Sequence, residues 1–391
     1  MRRKLLSAAV CGSTLLLALT ACSAPADSGS TAGGELTGTG TGAECVIDSE
    51  IPIGASFSLT GAAAQYGAGQ KNALELAVKT LNEVGGVTYD LTVEDDATDP
   101  KEAIQVFDSF ISAGASVIIG PTLSNTAKQT DPIAQDAGVP VLGVSNTAAG
   151  ITEIGDYIFR DSLTEDAVIP QTVKAAVDSL GVQKVVVMYA NDDAFTESGY
   201  QAFAAALEDQ NVEVAETLTF SKADTDFRAL LNKAKQSDAD AIIVSGLIDA
   251  AVPLVTQARE IGIDTPIIGG NGFNSPALIE GAGDAAEGVI VGAAWNSASD
   301  NEQNVKFIDD YTAAYSSAPD QFAAQAYAGM QIIDQAVRSE CSGERDGIKA
   351  GLGTITDVPT VLGNVTLNAN RDAEHDALVQ IVQDGQFVIL N

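Results

Sequence analysis

The chain has 391 residues, 46% of them hydrophobic, with a formal net charge of −33 and a single histidine. So acidic a protein has nothing with which to neutralise a phosphate backbone, which excludes nucleic-acid binding, and its hydrophobic fraction excludes global disorder. Its length calls for two or three domains, or for one large two-lobed body.

In chain order, Met1-Arg2-Arg3-Lys4 is a basic start and Leu5 to Ala21 an apolar run. The run is short for a spanning helix and no stop-transfer pattern follows, so residues 1–21 read as a secretory signal. Leu19-Thr20-Ala21-Cys22 is similar to a bacterial lipobox, which would make Cys22 the lipidated first residue of the mature chain. That places the protein outside the cytoplasm, lipid-anchored to the outer face of the cell membrane. The alternative is an ordinary signal with a chance cysteine. Residues 22–44 then form a small, polar, glycine-rich tether. Gly38, Gly40 and Gly42 lack the preceding strand and following helix of a phosphate loop. With Cys11 lost to the signal and Cys22 to the lipid, Cys45 and Cys341 remain, either as one disulfide in an oxidising compartment or as two separate buried thiols.

Beyond Cys45 two series of strands alternate with helices. The first is 51–57, 89–95, 116–120, 140–144 and 157–161; the second is 184–190, 212–220, 241–246, 266–270 and 288–294. Between the first strands, Leu74, Ala77, Val78 and Leu81 recur at helical spacing. Helices are expected near 196–209, 226–237 and 249–261, capped by Thr196, Thr225 and Asp249. Two such series predict two similar α/β lobes, each a parallel sheet covered on both faces. Helices around 303–315, 320–340 and 344–352 follow, and the end reads as hairpin strands about the polar turn 368–376. That turn lacks the central glycine and terminal glutamate of a calcium loop.

In such sheets ligands bind beyond the carboxyl ends of the strands. The strand in VIIGPTLSNT (117–126) ends in hydroxyls, with Ser124 at a helix start, and the next strand runs into Ser145-Asn146-Thr147. Each hydroxyl alone is a helix cap; two adjacent strand ends finishing this way point to a small carboxylate held by hydroxyls and free N–H groups.

With those residues in hand, the chain resembles the leucine/isoleucine/valine-binding protein family, the type I periplasmic binding proteins of ABC importers. The likeness covers about residues 46–391. It rests on the order and spacing of IPIGASFSLTGAAAQYGAGQ, VEDDATDP, IIGPTLSNTAKQTDPIAQDAGVPVLGVSNTA, YIFRDSLTEDAVIPQ, VVVMYANDDAFTESGYQAF and DTDFRALLNKAKQSDADAIIVSG. The resemblance implies two doubly wound lobes joined by three hinge crossings, with 46–166 plus 295–360 in lobe 1 and 167–294 plus 361–391 in lobe 2. It implies a protein that carries a small carboxylate-bearing solute to permease subunits; with no His/Cys cluster for a zinc site, neither metal nor cofactor is expected, and the protein is expected to be a monomer. Residue by residue, Ser124 matches the carboxylate-binding serine, Ser145 and Thr147 complete that grip, and Tyr66 and Phe195 are aromatic walls. Two positions depart: the acid that neutralises a ligand ammonium is Asn271 here, and a tyrosine is Leu247. Asp192 and Asp193 are the sequence's candidates for a replacement carboxylate, against a solvated loop.

A branched-chain or other amino acid is therefore the first ligand. Amine-free carboxylates (keto, aromatic or aliphatic acids) or amides are the alternative, as is a sensor reporting to a membrane receptor. A serine hydrolase would need G-x-S-x-G and a placed histidine, yet Gly143-Val144-Ser145-Asn146-Thr147 lacks the last glycine and His375 lies in the terminal turn. Glu94, Asp95, Asp96 and Asp99 read as a rim of solvated carboxylates, and an enzyme is not expected.

Overall fold

The computed structural model describes residues 36–390. The signal segment, Cys22 and the tether up to residue 35 lie outside the described residues. Among the described residues no helix is long and apolar enough to cross a membrane.

The first lobe is a parallel sheet in the order β2-β1-β3-β4-β5, made of β1 (Ile51–Phe57), β2 (Tyr89–Asp95), β3 (Val117–Ile119), β4 (Val141–Gly143) and β5 (Ile158–Arg160). Its crossover helices are α1 (Ala64–Val84), α2 (Pro100–Ala113) and α3 (Ser124–Asp136). The three inner strands, IPIGASF, VII and VLG, are buried on both sides, which is why they lack the alternation of polar and apolar residues seen in half-exposed strands.

The second lobe holds α4 (Glu165–Leu180), β6 (Lys184–Ala190), α5 (Ala194–Asp209), β7 (Glu213–Phe220), α6 (Arg228–Gln236), β8 (Ala241–Ser245), α7 (Ile248–Glu260), β9 (Ile267–Gly269), α8 (Pro276–Ala282) and β10 (Ile290–Ala293). The chain then returns to the first lobe as α9 (Glu302–Tyr315), α10 (Gln321–Glu340) and α11 (Arg345–Leu352). It adds the small antiparallel set β11 (Val358–Thr360), β12 (Gly363–Leu367) and β13 (Ala373–Glu374), and crosses once more to end in β14 (Leu378–Gln383) and β15 (Gln386–Ile389). The chain thus passes between the lobes three times: after β5, after β10 and after β13.

Four expectations need correction. Residues 361–374 belong with lobe 1, because Val361, Val365, Leu367 and Ala373 are buried in the same core as β1 and α10. The second sheet has seven strands, β15-β14-β10-β9-β8-β6-β7, since β14 pairs antiparallel with β10. The polar turn does join antiparallel strands, β12 and β13, but only over residues 368–372; β14 instead pairs with β15, joined at Asp384-Gly385, whose positive φ values of 52° and 70° suit a two-residue hairpin turn. The end of the tether is not free: Gly38 N–H donates to Cys341 C=O (2.9 Å), Gly343 N–H to Leu36 C=O (2.7 Å), and Cys45 is bonded to Cys341. A polar composition does not prevent docking when backbone groups supply the contacts.

The caps also differ. Helix α5 is capped by Asp193, which accepts from the N–H groups of Phe195 (3.0 Å) and Thr196 (3.2 Å). The Thr196 hydroxyl instead donates back to the Ala190 carbonyl. Helices α6 and α7 follow Phe227 and Leu247, with no side-chain cap.

Candidate functional site

The carboxyl ends of both sheets face each other across a small cavity. Tyr66, Ser124, Ser145, Thr147, Phe195, Leu247 and Asn271 all line it, although they come from six separate stretches of chain.

The first-lobe wall begins where β3 ends. Gly120 has φ +104°, and a Cβ there would sit 2.3 Å from the Ser56 carbonyl oxygen, so the turn requires glycine. The Gly120–Pro121 peptide is cis. The chain then enters α3 with Ser124 as its first residue, and Leu123 before it offers no side-chain cap. The N–H groups of Thr126 (3.1 Å) and Ala127 (3.0 Å) turn back to the Leu123 carbonyl, which leaves those of Ser124 and Asn125 at the positive end of the helix dipole.

The hydroxyls around this turn differ in what they already hold. Thr122 Oγ1 accepts from Ser58 N–H (3.0 Å) and donates to Gln70 Oε1 (2.7 Å). Gln70 Nε2 donates to Ser145 Oγ (2.8 Å), which donates to the Thr122 carbonyl (2.7 Å). This closed ring fixes the ends of β1, β3 and β4 against α1, so the Ser145 hydroxyl is part of the wall. Ser124 Oγ only accepts, from Ala148 N–H at 3.3 Å, which leaves its proton to give. Thr147 Oγ1 is buried with no partner. Ser124 and Thr147 are therefore the hydroxyls with capacity for a ligand.

The other wall is aromatic and carboxamide. The rings of Tyr66 and Phe322 lie 4.4 Å apart at 48°, and Phe195 packs against Gly272. Tyr66 belongs to α1 but donates its hydroxyl to the Gly272 carbonyl (2.8 Å) and accepts from Ile248 N–H (2.8 Å), both in the second lobe. Asn125 accepts from Ala194 N–H (2.8 Å) and donates to Asp193, and Ala149 N–H donates to Ser198 Oγ (2.9 Å). These bonds hold the lobes closed on one another.

Asp192 and Asp193 do not reach the cavity. Asp192 accepts from Lys222 N–H (2.8 Å) and Ser221 Oγ (2.7 Å) in an exposed turn, and Asp193 is occupied as the cap of α5 and partner of Asn125. The acidic group after β2 is not a freely solvated rim either. Asp95 and Asp96 accept from Thr60 and Ser58, and Asp99 caps α2. Among the described residues no cluster of three or more His, Cys, Asp or Glu could hold a metal ion.

Sequence reading missed the contribution of α10. Gln321, Phe322 and Gln325 project into the cavity from the first turns of that helix, and Gln325 Oε1 is buried without a partner. The available signal was two glutamines four apart in an alanine-rich, otherwise buried helix. It also missed Glu165. Only 1% exposed, this residue accepts from Asn271 Nδ2 at 2.8 Å, and burial pushes its carboxyl up to about 7 against the pull of that amide.

Two α/β lobes closing at facing strand ends on a small, largely apolar cavity define a solute-binding protein. The periplasmic binding protein family matches residues 50–386, and the chain belongs to that family. It is similar to the leucine-, isoleucine-, valine-, threonine- and alanine-binding protein of Pseudomonas aeruginosa, 26% identical over 300 residues, covering 76% of this chain and 79% of that one. Against the Leu/Ile/Val-binding protein BraC3 of Rhizobium johnstonii it is 25% identical over 331 residues, covering 83% and 89%. The crystal structure of LivJ from Streptococcus pneumoniae, a branched-chain amino acid transporter substrate-binding protein in complex with isoleucine, superposes with a TM-score of 0.82 at 28% identity, covering 87% and 98%. A benzoate complex of a solute-binding protein from R. palustris shares the fold, with a TM-score of 0.80 at 23% identity and coverage of 88% and 96%.

Proposed function

We propose that this protein is the extracytoplasmic solute-binding component of an ABC importer and that it captures a small α-amino acid with an apolar, branched side chain. The observation that carries this reading is the pairing, in one cavity, of the α3 N-terminus and the spare hydrogen-bonding capacity of Ser124 and Thr147 with the rings of Tyr66, Phe195 and Phe322. The first group suits a carboxylate, whose charge needs several donors once water is excluded. The second suits a hydrocarbon side chain, and lobe closure over both is the form a permease would recognise. The named ligands of the relatives support the same chemistry.

A thermal shift with L-leucine tests the reading, and Ser124→Ala tests the placement. The variant is expected to bind leucine about 1–3 kcal/mol more weakly, the cost of leaving a charged group short of a donor. Unchanged affinity would put the carboxylate elsewhere.

Asn271 favours a second reading, an amine-free carboxylate or an amide, because a neutral carboxamide borders the cavity where the family carries an acid. The proposal also assigns the membrane anchor to Cys22. Cys22→Ala is expected to release the protein into the medium or block its processing, and continued membrane attachment would contradict the assignment.

A further inference from the structure

We infer that Glu165 is the acid that makes the cavity select an ammonium-bearing solute, acting through the Asn271 amide and the Thr147 hydroxyl that border it. This rests on the amino-acid reading above and assigns the source of its charge selectivity.

Glu165 is the first residue of α4, just after the chain leaves the first lobe. Its N–H donates to the Thr147 carbonyl (3.2 Å), while its side chain reaches Asn271 of the second lobe, so it touches both walls of the site. A carboxylate can only accept, so the Asn271 nitrogen must face it. That leaves Asn271 Oδ1 as the amide's other face, where it already accepts from Gln321 Nε2 at 3.3 Å. The cavity is thus bordered by an acceptor oxygen with an acid directly behind it. This arrangement welcomes a cation and opposes a second anion.

The carboxyl is incompletely matched within the protein. Glu165 Oε2 is buried without a well-formed hydrogen bond, and the neighbouring Thr147 hydroxyl lies close enough to favour the carboxylate without satisfying it. The space around Oε2 is bounded by Gly199 of α5 and Gly270 after β9, neither of them titratable. Two charged groups act on Glu165: Asp166 on its own helix opposes ionisation, and Arg160 at the end of β5 favours it. Arg160 is already committed, to Asp372 (2.6 Å) and to the carbonyls of Asn146 (2.9 Å) and Ala148 (2.7 Å). A solute ammonium would supply the missing positive charge.

Proton bookkeeping follows from the geometry. With the carboxyl held near 7 in the closed, solute-free form, part of that form carries a proton on Glu165 at neutral pH. Binding an ammonium favours the carboxylate, so that proton leaves to solvent, and affinity rises with pH until Glu165 is fully ionised. An amine-free anion has the opposite preference: it favours protonated Glu165, takes up a proton, and binds more weakly as pH rises.

The experiment is calorimetric titration of the purified protein with L-leucine and with 4-methyl-2-oxopentanoate, the same skeleton without the amine. It is run between pH 6 and 8 in buffers of different ionisation enthalpy, on wild type and Glu165→Gln. Wild type is expected to release a fraction of a proton with leucine and to prefer leucine. Glu165→Gln, which keeps the Asn271 contact, is expected to lose about ten- to hundredfold in leucine affinity along with the proton release, and to bind the keto acid as well as before or better. Retained leucine affinity in the variant, an equal loss for both compounds, or wild type taking only the keto acid would each overturn the inference. Binding of neither compound by wild type would instead remove the amino-acid reading beneath it. If the variant does not fold, the wild-type proton count and pH profile decide: no proton release and a flat profile with leucine also overturn it.

Discussion

Tyr66→Phe is expected to weaken solute capture by roughly 2–6 kcal/mol while leaving each lobe folded. The figure is the penalty for two buried backbone groups losing their partner, at about 1–3 kcal/mol each. Those groups are the Gly272 carbonyl and the Ile248 N–H, both bonded to the Tyr66 hydroxyl at 2.8 Å. They are desolvated only when the lobes close, so in the open form water can serve both, and the loss falls on closure instead of folding. The phenyl ring keeps its contact with Phe322, which removes packing as an explanation. Calorimetry measures the affinity, and small-angle X-ray scattering with saturating ligand should show a more open particle than wild type. A variant that binds and closes like wild type would show that Tyr66 lines the cavity without latching it.

Gly67→Ala, one residue on, is expected to cost about 3 kcal/mol or more of folding stability, at the upper end of overpacking effects. A Cβ at Gly67 would lie 2.0 Å from the Ser58 carbonyl oxygen and 2.5 Å from its carbon. Both are backbone atoms, so no side chain can rotate away, and α1 or the end of β1 must shift. Such a shift would reach the site: Ser58 N–H donates to Thr122 Oγ1, which holds Gln70 and through it Ser145. The midpoint of urea unfolding measures the cost, and ligand affinity should fall with it. Wild-type stability would mean that α1 approaches β1 less closely than described.

These two neighbours show how unevenly the sequence displays its information. The strands were legible because buried parallel strands are mostly apolar: β6, read as KVVVMYA, occupies Lys184–Ala190, and β1 occupies Ile51–Phe57. The hydroxyls after β3 and β4 were legible because strand ends in this kind of sheet point at ligands. Helix starts were less so. Thr196 and Asp249 are good capping types, but capping depends on which N–H groups the turn leaves free, and Asp193 took the role at α5.

The class of fold could be read from contiguous segments, because strand and helix propensities are local; the seven candidate site residues came from the family resemblance, and the structure gathers them around one cavity. Which hydroxyls are spare follows from packing between distant segments, with Ser145 tied into a ring and Thr147 Oγ1 completing no hydrogen bond. That packing also decided that the terminal strands are shared between the lobes and that Gln321, Phe322 and Gln325 face the cavity. The acid beside the site is the clearest case. Glu165 and Asn271 are 106 positions apart. Neither residue's neighbours in the chain reveal that closing two lobes buries one carboxyl against one amide, since burial and charge pairing arise only when distant segments exclude water together.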